Sequence, residues 1–167
     1  MNKARDSASL QIRPVEEGDN KAVADIIRLV MTEFEAVGCG YSINDSEIDD
    51  MYTAYAPEGS AFYVVELADR VLGCGGFGPL KGGEPDTCEL RKMYFMSELR
   101  GMGVGTMLLN LCLEEAARTG FRLCYLETMD GMEQARRLYG KHGFKYLDQP
   151  MGQTGHTSCG TWMARKL

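Results

Sequence analysis

No apolar run in the 167 residues approaches the ~18 that a membrane-crossing helix needs, so no membrane is expected as a partner. The opening stretch, MNKARDSASLQIRP, has no apolar segment of the kind that directs secretion, which makes the cytoplasm the expected location. Histidine is scarce, with only His142 and His156, and the six cysteines include no C-x-x-C pair. With no H-E-x-x-H either, no metal site is expected. Several cysteines fall inside apolar segments, where a free thiol behaves as a small hydrophobe, so reduced structural thiols are expected and not a disulfide framework. A basic surplus is also missing. The 18 Lys and Arg against 24 Asp and Glu leave a charge of −6, which argues against a nucleic-acid partner, since phosphate backbones are gripped by clustered cations.

What is present is the composition of one globular domain, with enough apolar residues to bury a core. Residues 1–8 are polar and read as a flexible N-terminal tail, leaving 9–167 as a single domain. Leu10 and Ile12 alternate with polar neighbours in a short strand ended by Pro14. Val23, Ile26, Ile27, Val30 and Phe34 follow the i, i+3, i+4, i+7 spacing of an amphipathic helix that opens after Asp19 and stops near Gly38. A second short helix is expected from about Asp45. The period then shortens: 61–67 and 71–77 read as a hairpin around Ala68-Asp69-Arg70, and 87–96 as a long strand. Strict alternation along that strand would put Glu89, Arg91, Met93 and Phe95 on one face.

A literal G-x-G-x-x-G spans Gly73 to Gly78, but Pro79 and a loop follow it where the dinucleotide fingerprint must open a helix. It reads as a glycine-rich strand with a bulge. The second cluster, Arg100-Gly-Met-Gly-Val-Gly105, does lead into a helix, whose apolar stripe is Val104, Met107, Leu108, Leu111, Cys112 and Ala116, with Gly120 to end it. Bare main-chain amides at a helix N-terminus form a pocket for phosphate or pyrophosphate; the alternative is an ordinary tight turn. Residues 123–128 are a nearly continuous apolar strand. Asp130-Gly-Met-Glu133 reads as a capping box before a helix that stops at Gly143, and 144–147 and 158–165 read as two last strands.

Arg100-x-x-Gly103-x-Gly105 resembles the signature Gln or Arg, x, x, Gly, x, Gly or Ala of the GNAT N-acetyltransferase family. Glu89 to Phe95 resembles that family's fourth strand. Ala135 to Phe144 resembles its fourth helix, with the pattern A-x-x-L-Y-x-x-x-G-F. The likeness is strong over 60–147 and looser over 10–58. It implies the α/β acyl-CoA N-acyltransferase (GNAT) fold: a single mixed, mostly antiparallel central sheet with helices on both faces. It also implies acetyl-CoA as co-substrate, with the diphosphate on the turn Arg100, Gly101, Met102, Gly103, Val104, Gly105 and Thr106, and the pantetheine arm along the backbone at Met93 and Phe95. Members of the family pair through sheet edges or terminal strands, so a homodimer is a further implied partner. Many relatives carry an Asn three residues before the helix Ala, where this chain has Met132.

Acetylating an amine requires a base and an acid. An aliphatic ammonium of pKa ~10 is about one part in a thousand free base at neutral pH, about 4 kcal/mol uphill. Tyr139 occupies the family's general-acid position, with a core-packed helix Tyr whose hydroxyl reaches the surface as the alternative, and Glu89 is the candidate base, with a solvated or salt-bridged strand Glu as the alternative. His156, in the last glycine-rich loop, is a candidate acceptor-site residue. Residues 29–69 carry nine carboxylates, Glu33 among them, and no Lys or Arg, leaving +3 elsewhere. An acidic wall would draw a cationic small molecule or peptide amine to the thioester; a solvated acidic face is the alternative. The expectation is thus an acetyl-CoA-dependent N-acetyltransferase working by direct transfer in a ternary complex. A non-catalytic acyl-CoA sensor or interaction module on the same fold is the competing reading.

Overall fold

The computed structural model describes residues 9–167, so the tail expected at 1–8 lies outside it. Eleven regular elements follow in the order β1 (Leu10–Pro14), α1 (Asn20–Glu33), α2 (Met51–Ala54), β2 (Ala61–Leu67), β3 (Arg70–Pro79), β4 (Thr87–Phe95), α3 (Val104–Thr119), β5 (Leu123–Thr128), α4 (Glu133–Lys141), β6 (Lys145–Tyr146) and β7 (Thr161–Lys166). The strands form one sheet, ordered β1-β2-β3-β4-β5-β7-β6, antiparallel throughout except at the β4–β5 junction. No helix among the described residues is long and apolar enough to cross a membrane.

Two cores lie on the two faces of this sheet. Val23, Ile27 and Val30 of α1 pack with Ile48, Met51, Phe62, Val64 and Cys74 on one face. Leu108, Leu109 and Cys112 of α3 pack with Val65, Phe77, Leu90, Leu126, Met163 and Tyr139 of α4 on the other. Alternation along β2 divides Val64 from Val65 between them, as a strand covered on both sides requires. All six cysteines are free, and four of them are buried core residues.

The β2–β3 hairpin turns on Ala68 and Asp69, both at positive φ (51° and 59°), the twist that a two-residue hairpin turn demands. Gly73 to Gly78 lies within β3, as expected of a glycine-rich strand. A Cβ on Gly76 would collide with the Ala61 carbonyl, so this glycine serves a close strand approach and not a nucleotide.

Four expectations are corrected. The first helix ends at Glu33, since Glu35 takes positive φ (57°). On α3 the buried stripe includes Leu109 and Leu113, while Met107 is exposed. Asp130 caps nothing: α4 begins after Met132 without a side-chain cap, and the Asp130 carboxylate instead accepts the Thr161 hydroxyl. The last two strands are shorter than read, leaving 147–160 as a loop.

The fourth strand carries the most consequential feature. Gly76 pairs with Arg91 and Cys74 with Tyr94, so Lys92 and Met93 together face Gly75, and Lys92 sits at φ 52°. This bulge reverses the alternation. Glu89 and Tyr94 therefore share the α1 face, whereas Met93 and Phe95 join Leu90 on the α3 face. The sequence reading, which put Glu89 with Met93 and Phe95, is corrected on this point.

Candidate active site

Strands β4 and β5 pair only at Thr87–Leu123, Cys88–Cys124 and Glu89–Tyr125. Past Glu89 they part, leaving the outer edge of β4 without a strand partner and opening the sheet. Two cavities meet in this gap, sharing Met93, Tyr94, Met132, Ala135 and Tyr139 as their common wall.

The first is a groove of about 670 Å³ running from Phe95, along the turn before α3, to Tyr139. Gly101 and Gly103 hold the turn in left-handed backbone (φ 81° and 77°), and a Cβ on either would meet nothing within 4 Å. The Met102 amide is satisfied by Leu99 and that of Met107 by Gly103, but among the described residues the amides of Gly101, Gly103, Val104, Gly105 and Thr106 have no backbone acceptor. Five open N–H donors at the positive end of a sixteen-residue helix fit a diphosphate. Met102 projects into solvent.

Arg100 lines this groove, and its guanidinium is also engaged within the fold. Its guanidinium grips both oxygens of Glu33 (2.5 and 2.7 Å) and donates to the Phe95 carbonyl (3.1 and 3.2 Å). It fastens the turn to the ends of α1 and β4. Glu33, expected on the acceptor wall, lines neither cavity and serves this brace.

The second cavity, about 70 Å³ and more enclosed, holds Glu89 and His156. Glu89 is 4% exposed, and its Oε2 accepts from Arg91 Nε at 2.7 Å, while Oε1 has no hydrogen-bond partner among the described residues. Burial pushes its carboxyl above the usual range, with Arg91 opposing. His156 lies between Asp45, whose two oxygens are each 3.1 Å from Nε2, and Glu127, 3.4 Å from Nδ1. These carboxylates raise its pKa to about 9 against the effect of burial, so the imidazole is a cation at neutral pH. Lys92 is buried beside them, its ammonium 2.7 Å from Asp45 and 2.8 Å from Glu47. Burial works against that charge, but the two carboxylates hold it protonated above the ordinary lysine range.

Tyr139 stands where the cavities join. Its ring packs edge-on against Phe144, its hydroxyl has no hydrogen-bond partner among the described residues, and burial raises its pKa, keeping the phenol protonated. Cys159 also borders the second cavity; burial, with Glu127, Glu89 and Asp45 nearby, pushes its thiol up to about 12, so it is not a thiolate nucleophile at neutral pH.

Five of the nine carboxylates in the acidic window are paired with cations. Glu33, Asp49 and Glu66 are matched by Arg100, Arg28 and Arg13, and Asp45 and Glu47 by Lys92. Sequence reasoning took Asp45 only as a helix start and one carboxylate of the acidic window, and gave Lys92 and Glu127 no role. Of these only Glu127 carries a local signal, as a carboxylate inside an apolar strand.

The profile of the Acetyltransferase (GNAT) family matches residues 23–144. The chain is 41% identical over 150 residues to the uncharacterized N-acetyltransferase YjgM of Escherichia coli (strain K12), covering 89% of this chain and 90% of that one. Its fold is similar to that of an acetyltransferase of GNAT family from Staphylococcus aureus MU50, with a TM-score of 0.81 at 16% identity over 95% of this chain and 99% of that chain. It is also similar to yncA, a putative acetyltransferase from Salmonella typhimurium solved with its cofactor acetyl-CoA, with a TM-score of 0.74 at 22% identity over 96% and 95% of the two chains.

Proposed function

The chain belongs to the acetyltransferase (GNAT) family and is an acyltransferase, and on that premise we propose that it moves an acetyl group from acetyl-CoA to a primary amine by direct attack within a ternary complex. The observation that carries this reading is the continuity of the site. Open amides suited to a diphosphate lie at one end of a groove, and the other end meets, at Tyr139, a cavity holding a carboxylate with a free oxygen.

In this reading the amides from Gly101 to Thr106 bind the diphosphate and the outer edge of β4 at Met93 and Phe95 orients the pantetheine arm. Glu89 takes a proton from the ammonium through Oε1, and its raised pKa suits that exchange better than an ordinary carboxylate would. His156 is not the base, because its proton is held by two carboxylates. As the nitrogen bonds to the carbonyl carbon and the carbon–sulfur bond breaks, Tyr139 gives its proton to the departing sulfur. The proton that the nitrogen sheds on becoming an amide restores the phenol. The protonated Cys159 thiol favours this direct route over a covalent acetyl-enzyme.

The test pairs calorimetry with mass spectrometry. The protein should bind acetyl-CoA and give amine products heavier by one acetyl group, with release of free CoA thiol. Absence of acetyl-CoA binding would contradict the proposal.

A further inference from the structure

The second cavity says more about its occupant than that it is an amine. It is roofed by two loops, 39–45 and 154–159, that are fastened to each other. The Ser158 amide donates to the Gly40 carbonyl at 3.2 Å, the Ser158 hydroxyl to the Cys39 carbonyl at 3.0 Å, and His156 meets Asp45 at 3.1 Å. Gly40 is pressed so closely on Thr157 and Ser158 that a Cβ there would collide with both hydroxyls. Fastened in this way, the two loops leave no trough between them in which a polypeptide could lie.

Its size points the same way. At about 70 Å³ the cavity falls well below the ~300–1,000 Å³ of an ordinary ligand pocket, which suits a small amine.

The lining sets the chemistry. Four methionines, Met31, Met93, Met129 and Met132, join Tyr94 and Leu126 around the cavity. Thioethers adapt to an irregular apolar body and make favourable contacts with aromatic rings. All three cations at the cavity are already engaged. Arg91 bonds Glu89 and the Pro79 carbonyl, Lys92 is shared by Asp45 and Glu47, and His156 is shared by Asp45 and Glu127. Against these three stand the four carboxylates of Asp45, Glu47, Glu89 and Glu127, so the cluster carries one net negative charge, and Glu89 Oε1 is an acceptor that no group among the described residues fills. A carboxylate on the acceptor would find no unpaired cation and would be buried beside acids, whereas one ammonium would complete the balance.

We propose that the acceptor is a small monoamine with a compact alkyl or aryl body and no carboxylate, enclosed whole beneath the two fastened loops and not presented on a polypeptide. This rests on the acetyltransferase reading of the same site.

The test supplies the full chain with acetyl-CoA and, in parallel, phenethylamine, hexylamine, phenylalanine, and a peptide with a free N-terminus and one lysine. Phenethylamine and phenylalanine differ only in the carboxylate. The expected result is a kcat/KM for phenethylamine about 100-fold above that for phenylalanine, with no acetylation of the peptide. Met129→Lys, at a half-buried position on the chamber wall, should lower kcat/KM for phenethylamine about tenfold and narrow its lead over phenylalanine. Turnover of phenylalanine or the peptide at an equal or higher kcat/KM overturns the proposal, as does an unchanged lead in Met129→Lys. Binding of acetyl-CoA without acetylation of either monoamine also overturns it, while leaving the donor site intact. Failure to bind acetyl-CoA takes down the acetyltransferase reading and this inference together.

Discussion

The imidazole Nε2 of His156 lies 3.1 Å from both carboxylate oxygens of Asp45, a residue 111 positions away in the chain. This pair joins the last glycine-rich loop to the loop before α2. The folded-state pKa of His156, about 9, stands above the ordinary 6.5, and a raised histidine pKa stabilises the fold fully below the unfolded value. That contribution is lost as pH rises through the folded value. Thermal unfolding followed from pH 6 to 9.5 should therefore show the midpoint falling across this window. His156→Gln should flatten the fall and lower the midpoint at pH 6, for a loss of ~1–3 kcal/mol at about 2–4 °C per kcal/mol. An unaltered pH slope in the variant would contradict the assignment.

Gly103 stands in left-handed backbone at φ 77°, with its hydrogen toward open space. In Gly103→Ala the methyl group would stand on the open turn, and the backbone would be strained by ~1–2 kcal/mol. The expected result is a Kd for acetyl-CoA weakened about tenfold or more, measured by calorimetry, with a smaller change in kcat at saturating donor. An unchanged Kd would show that these amides do not hold the diphosphate.

Glu89→Gln keeps an oxygen for Arg91 but removes the base. The variant should lose about 10²–10⁴-fold in kcat at neutral pH. In the parent enzyme kcat should fall as pH drops through the raised carboxyl pKa, and that acidic limb should be absent in Glu89→Gln. A variant retaining both the rate and the limb would remove Glu89 from the chemistry.

What could be read in advance follows from how local each determinant is. The 3.6-residue spacing from Val23 to Val30 and the two-residue alternation along β2 are properties of short windows, so those elements are legible. The turn at Gly101–Gly105 is legible for the same reason, because its left-handed residues are glycines. The bulge in β4 is not, since its left-handed residue is Lys92, whose side chain gives no local reason for φ 52°; its ammonium instead meets Asp45 and Glu47 on another loop. That one residue moved Glu89 to the other face of the sheet. The brace from Arg100 to Glu33 spans 67 positions and the His156–Asp45 pair 111, and nothing in either neighbourhood announces a partner at that range. Asp130 had the spacing of a cap but was claimed by Thr161 across the sheet.

In the proposed reaction Tyr139, at the junction of the two cavities, protonates the leaving sulfur. Replacing it by Phe removes the hydroxyl while keeping the ring against Phe144. The decisive measurement is kcat for Tyr139→Phe together with its Kd for acetyl-CoA. The expected result is a fall of about 10²–10⁴-fold in kcat with donor binding nearly unchanged. A variant that turns over at the parent rate, with the same donor affinity, would contradict it.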